Sequence, residues 1–221
     1  MADMKHTVDL FWSFRSPYSY LALPRLLAMQ TDWALQINIR PVYPIALRQP
    51  DFFNREQPGW MHYLLTDVLR LAEYLDIPIA LPNPDPVVMD PETGRAADQQ
   101  PHIHRLTRLG VAASQTEHGL AFLHALSSRI WSGDDWSVPG VLEAATAEAG
   151  LDLADLEAKI EADPAACDAA IALNGKALLE AGHWGVPTLT VEGEPFFGQD
   201  RIELALWRLK QRGLQPRLET V

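Results

Sequence analysis

The four residues Ser16-Pro17-Tyr18-Ser19 are informative for what they lack. They follow a short, apolar, aromatic-rich run at 8–14 and precede a segment with helical spacing. Pro17 suits the first helical position, where its missing N–H costs nothing, and Ser16 then falls on the N-cap that serine favours. The start of such a helix offers unpaired N–H groups and a partial positive charge, which together stabilise an anion such as a thiolate. A dithiol oxidoreductase carries Cys-x-x-Cys at a junction of this kind. Here serine stands at both ends of the four-residue motif, and the single cysteine, Cys167, lies far downstream in a helical stretch. A hydroxyl cannot attack a disulfide, but it can donate a hydrogen bond to a thiolate that a ligand brings in. Read alone, Ser16 is equally a plain helix cap, and Tyr18 and Tyr20 read as packing residues.

Two later segments share this character of an element boundary. Trp184-Gly185-Val186-Pro187-Thr188 comes just before a strand, with Pro187 placed to be cis and Val186 to present its backbone to an extended ligand. Phe197-Gly198-Gln199-Asp200-Arg201 leads into the last helix, where Asp200 could either hold an α-amino group or cap the helix. His102-Ile103-His104 has no cysteine or carboxylate at ligand spacing, so no metal site is expected. His118, His124 and His183 read as surface or packing residues. No nucleophile elbow, phosphate loop or dinucleotide fingerprint is present.

The elements that must position these segments follow from periodicity. Strands are expected near 8–14, 35–42, 188–191 and 195–197, with a helix over 18–29 between the first two, so the chain opens β–α–β with parallel strands. The middle reads as helices at 60–75, with Leu64, Leu65, Val68, Leu69, Leu71, Ala72 and Leu75 on its inner faces, at 106–131, with Gly110 and Gly119 as weak points, and at 139–150, 153–162 and 163–182. A loop at 44–59 and a proline-rich connection over 78–101 separate the first of these, and a connection that long suggests an exposed flap or an interface arm. An amphipathic helix over 201–212 closes the chain, with Ile202, Leu204, Ala205, Leu206 and Leu209 on its buried face. The order βαβ, helical block, α–β–β–α is α/β: a thioredoxin-like fold with an inserted all-helical domain. Its parts are 1–45 and 178–221 for the thioredoxin-like domain and 46–177 for the insertion. In such a fold the three segments meet at one edge of the sheet.

Composition is that of a globular chain, 48% hydrophobic and 21% charged. The net charge of -11, from 18 basic and 29 acidic residues, argues against nucleic acid and anionic membranes as partners. No early segment resembles a signal peptide and no stretch is long and apolar enough to span a bilayer, so a cytoplasmic location is expected.

With these segments in place, the chain resembles the glutathione-dependent 2-hydroxychromene-2-carboxylate isomerases and the related kappa-class glutathione transferases, within the DsbA-like group. The resemblance rests on Ser16-Pro17-Tyr18-Ser19-Tyr20-Leu21, Gly185-Val186-Pro187-Thr188 and the segment from Phe197 to Arg201, with Asn54, Tyr63, Leu64 and Asp67 fitting between them. It implies glutathione as cofactor, with Ser16 on its sulfur and Asn54 in its site. Val186 beside Pro187 would pair with the cysteinyl part, and Gln199 and Asp200, followed by Arg201, would hold the γ-glutamyl end. Trp60 stands where the family often has a lysine, with Arg48 and Arg55 as nearby cations that could replace its charge. The implied activity is cis–trans isomerisation of an aromatic-catabolism intermediate through the glutathione thiolate, in a homodimer. The alternatives are a kappa-class-like transferase acting on an electrophilic aromatic substrate, and a redox-inactive glutathione- or peptide-binding protein.

Overall fold

The computed structural model describes residues 6–217. Strand β1 (His6–Trp12) and strand β2 (Leu35–Pro41) pair in parallel, with Val8 opposite Ile37, through helix α1 (Pro17–Asp32). The chain returns to the sheet after the helical block. Strand β3 (Thr188–Val191) runs antiparallel to β1, and strand β4 (Glu194–Phe197) antiparallel to β3, giving the order β2-β1-β3-β4. The β3–β4 hairpin turns on Glu192 and Gly193, both at positive φ (49° and 83°), as a two-residue loop between twisted strands demands. This is the thioredoxin-like α/β fold that the element order implies.

Between the sheet halves lie α2 (Ile45–Arg48), α3 (Phe52–Arg55), α4 (Trp60–Leu75), α5 (Ile103–Ser114), α6 (Gly119–Ile130), α7 (Val141–Glu148), α8 (Leu153–Ala162) and α9 (Pro164–Glu180). A 3-10 turn at Gln199–Arg201 and α10 (Ile202–Gln211) complete the described chain. Asp152 caps α8 by accepting from the N–H groups of Ala154 and Asp155. Leu21 and Leu26 of α1 share one hydrophobic core with Leu106 of α5 and Leu123 of α6. No described helix is long and apolar enough to cross a membrane.

Four expectations from periodicity change. The stretch at 44–59 is not simply loop, because it holds the single-turn helices α2 and α3. The single helix over 106–131 is two, broken at 115–118. Gly119 sits at the break, and a Cβ there would lie 2.8 Å from the Ala113 carbonyl oxygen and 2.9 Å from Ile39, so α6 can start against α5 only on a glycine. In α4 the apolar residues do not all face inward. Val68 and Ala72 are buried, while Leu65 and Leu69 are 39% and 60% exposed. In α10, Leu204 points outward where it was expected inside.

The proline-rich connection is neither a free flap nor a detached arm. The Tyr20 hydroxyl donates to Pro78 O at 2.8 Å, Ala80 N–H to Trp131 O at 2.8 Å, and the Trp136 indole to Pro84 O at 2.7 Å. The Gln100 side chain brackets Val88, accepting from its N–H and donating to its carbonyl. Proline removes donors from this segment, so it is tied down by side chains reaching from α1 and the loop after α6.

Candidate active site

Ser16 stands at the turn between β1 and α1. Its main-chain N–H donates to Ser13 O at 3.2 Å, closing the turn, and Pro17 occupies the first helical position. The Ser16 hydroxyl does two things. Its oxygen accepts from Ser19 N–H at 3.2 Å, which is the cap expected of it, and its proton goes to Val186 O at 3.2 Å. The cap thereby stitches the first segment to the second. Within the first turn, Pro17 has no N–H, that of Ser19 goes to Ser16 Oγ and that of Tyr20 to Ser16 O. Tyr18 N–H is the donor left over, at the positive end of the α1 dipole.

The second segment is held rigidly against β4. The Val186-Pro187 peptide is cis, Pro187 O accepts from Gly198 N–H at 2.9 Å, and the Thr188 hydroxyl donates to Gly185 O at 2.8 Å. Gly185 must be glycine, because a Cβ would come within 2.3 Å of the Phe197 ring. The His183 ring stacks on Phe197 with centroids 3.9 Å apart, and its Nδ1 accepts from Gly185 N–H at 2.8 Å. Burial pushes the His183 pKa down, consistent with a neutral ring that keeps a lone pair on Nδ1.

A group with a depressed imidazolium pKa stabilises the fold above its unfolded pKa and loses that contribution as pH falls through the folded value, since the unfolded chain takes the proton first. Thermal stability should therefore fall from pH 7 toward pH 5. His183→Asn, whose amide oxygen can replace Nδ1 without titrating, should flatten part of that slope. His124, lowered in the same direction by burial, remains in both proteins. Identical slopes in melting temperature against pH would exclude His183 as a contributor.

Ser16 and Val186 open on a cavity of about 580 Å³. Its walls are overwhelmingly apolar: Phe52 of α3, Trp60, Leu64 and Val68 of α4, Val87 of the proline-rich connection, and Trp131 after α6. The outward leucines of α4, Leu65 and Leu69, are part of this lining. Tyr18 also lines it, with its hydroxyl donating to Asp67 Oδ2 at 2.8 Å. Burial first, and then the Asp67 carboxylate, raises the Tyr18 pKa, so the phenol stays protonated. Arg15 grips Asp85 with two bonds of 2.6 Å, and its guanidinium lies 5.3 Å above the Trp131 ring.

Of the residues singled out from sequence, Ser16, Trp60 and Val186 share this cavity, with Pro187 buried behind Val186. Asn54 lies off its wall. The Asn54 amide donates to Thr93 O at 2.9 Å and its Oδ1 packs against Gly94. Gln199 accepts from Arg25 of α1, Asp200 pairs with Arg201 at 2.5 Å, and Gln199, Asp200 and Arg201 all lie outside the cavity lining. Asp200 makes no capping bond to α10. Cys167 lies in the first turns of α9 near Arg108 and Asp168, off the cavity wall. Sequence reasoning missed Asp85, Phe52 and Trp131. The proline-flanked Asp85 carried a local signal, whereas Phe52 and Trp131 look like any aromatic residue.

A family model for the DSBA-like thioredoxin domain matches residues 7–210. The chain is 25% identical over 227 residues to human glutathione S-transferase kappa 1, covering 98% of this chain and 96% of the relative. It is 25% identical over 214 residues to a 2-hydroxychromene-2-carboxylate isomerase of Pseudomonas putida, covering 91% and 95%. Among solved structures, a 2-hydroxychromene-2-carboxylate isomerase superposes with a TM-score of 0.69 at 21% identity, over 93% of this chain and 97% of that one. Sheet order, the cis-proline loop beside the α1 N-terminus and the full-length match agree: the chain belongs to the DSBA-like thioredoxin domain family.

Proposed function

We propose that this protein binds glutathione at the α1 N-terminus and uses its thiolate on an apolar, electrophilic substrate held in the cavity, as a cis–trans isomerase of the 2-hydroxychromene-2-carboxylate isomerase type. The observation that carries this reading is the Ser16 hydroxyl, bonded to Val186 O and opening on a large apolar cavity with no cysteine on its wall. The donor set suits a peptide thiol. Val186 O can accept from the N–H of an extended ligand, which releases the Ser16 proton from that carbonyl. Ser16 Oγ–H and Tyr18 N–H are then both free to donate to a sulfur at the positive helix end. Glutathione supplies a nucleophilic sulfur that can add to a conjugated carbonyl compound and later leave it. Ser16 and the helix end hold that sulfur ionised by charge stabilisation and take no proton from it. The apolar walls exclude water and orient the substrate's flat body. A kappa-class transferase reaction would use the same donor set and differ only in whether the sulfur leaves again.

Reduced glutathione should bind in the micromolar to millimolar range by calorimetry, and no detectable heat or competition would sink the reading. Asp200→Ala should weaken that binding about fivefold to tenfold if the carboxylate exchanges Arg201 for the ligand ammonium, an exposed site giving less than a buried one. Unchanged affinity would leave Asp200 with its Arg201 pair alone.

A further inference from the structure

Among the described residues, the Gly185-Val186-Pro187 stretch is held mainly by groups that do not titrate near neutral pH. Gly185 O accepts from the Thr188 hydroxyl, Val186 O from the Ser16 hydroxyl and Pro187 O from Gly198 N–H. The remaining tie is different, because Gly185 N–H donates to His183 Nδ1 at 2.8 Å. Gly185 and Val186 line the cavity together with Trp184 and Phe197, and the His183 ring, stacked on Phe197, is not part of that lining. Its own main-chain N–H donates to Leu178 O at 3.3 Å, which fixes it to α9. The charged groups on the elements around it are already paired. Glu180 of α9 lies 3.6 Å from Lys176, Glu194 of β4 is bonded by Arg208 at 2.8 Å, and Asp200, after β4, pairs with Arg201. No charged group contributes to the lowered His183 pKa, which burial causes.

Protonation puts a hydrogen on His183 Nδ1 opposite Gly185 N–H, and an accepted bond becomes a contact between two donors. The stack survives this change, because a cation is favourable on an aromatic face. The ring therefore stays, and Gly185, which is buried, must turn its N–H away or leave it without an acceptor. A small movement there matters, since a Cβ on Gly185 would already lie 3.0 Å from His183 and 2.3 Å from the Phe197 ring. The next carbonyl along the chain, that of Val186, is the one bonded by Ser16. We propose that His183 is a positioning residue of the ligand site, whose neutral ring sets the Gly185-Val186 backbone against Ser16 and whose protonated ring releases it. The site is assembled near pH 7 and loosens toward pH 5. As regulation of ligand binding, this rests on the glutathione reading of the site.

The test is calorimetry with S-methylglutathione, whose sulfur cannot ionise and whose other groups keep their charge between pH 5 and pH 7. The wild type should bind it about fivefold more weakly at pH 5, as for one lost neutral hydrogen bond. His183→Asn supplies an amide oxygen that accepts at both pH values, so its affinity should match the wild type at pH 7 and change by less than about twofold at pH 5. His183→Phe keeps the stack and removes the acceptor, and it should bind at both pH values as the wild type does at pH 5. Hydrogen exchange over residues 183–188, expressed as protection relative to the unfolded chain, reads the loop without any ligand. Protection should fall at pH 5 in the wild type and hold in His183→Asn. Equal affinity at both pH values in protein that binds the probe overturns the proposal, as does a His183→Asn variant that keeps the wild-type pH dependence. Wild-type protein that ignores the probe at pH 7 removes the glutathione reading. The exchange measurement then decides alone, and unchanged protection at pH 5 would end the role of His183 as well.

Discussion

Ser16→Ala should raise the pKa of protein-bound glutathione by about one to two units and lower turnover at neutral pH roughly tenfold to a hundredfold. The substitution removes one hydrogen bond to a thiolate, worth about 1.5–3 kcal/mol, and each pKa unit corresponds to about 1.4 kcal/mol. The helix end and Tyr18 N–H remain, so some stabilisation persists and activity should partly return at higher pH. Glutathione affinity should change less, since the Val186 backbone is untouched. Thiolate absorbance near ~240 nm, followed against pH with glutathione bound, reads the shift directly. Superimposable titrations would reduce Ser16 to the cap it forms for Ser19 N–H. That cap is lost in the variant too, at roughly 1 kcal/mol, so the melting temperature must be recorded beside the titration.

Trp131→Ala should be the most destabilising single change in the site. Its side chain is 2% exposed, its ring stacks on Tyr20 at 6.2 Å, and its indole N–H donates to Phe14 O at 3.3 Å. Truncating a buried tryptophan costs about 3–5 kcal/mol, because the surroundings collapse only in part. For a chain of this size that lowers the melting temperature by roughly 10 °C. The damage should reach the ligand site, because the same ring lies under Arg15 and forms part of the cavity wall. Trp131→Phe should recover most of the packing and leave Phe14 O without its donor, at about 1 kcal/mol. Chemical denaturation of the three proteins checks this ranking. A loss below about 1 kcal/mol in Trp131→Ala would mean the ring is not structural.

The strand order and the meeting of three distant segments were legible because each segment sits at an element boundary with its own chemical signature. Serine before proline marks a helix start, and Gly185 to Thr188 marks the loop before β3. Burial in α4 was not legible. Periodicity reports that Leu65 and Leu69 are apolar, and it cannot distinguish a core from the wall of an open cavity. The break at 115–118 was legible only as a weak point at Gly119, since the need for glycine there comes from the approach of Ala113 and Ile39, residues that only the folded chain brings near.

The clamped proline-rich connection separates two jobs in the proposed site. On the proposed reading the sheet, α1 and the Pro187 loop place the reacting group, and they tolerate little change, as the fit of Gly185 against Phe197 shows. Ile79, Leu81, Val87 and Met89 shape the opposite wall from a segment that belongs to no strand and no helix. Its main ties, at Pro78, Ala80 and Pro84, engage backbone groups, so they do not depend on which side chains face the cavity. If the cavity holds a substrate as proposed, its preference can drift through substitutions in this stretch while the scaffold and the α1 N-terminus stay fixed. Relatives with the same sheet would then differ in what they accept through this one segment.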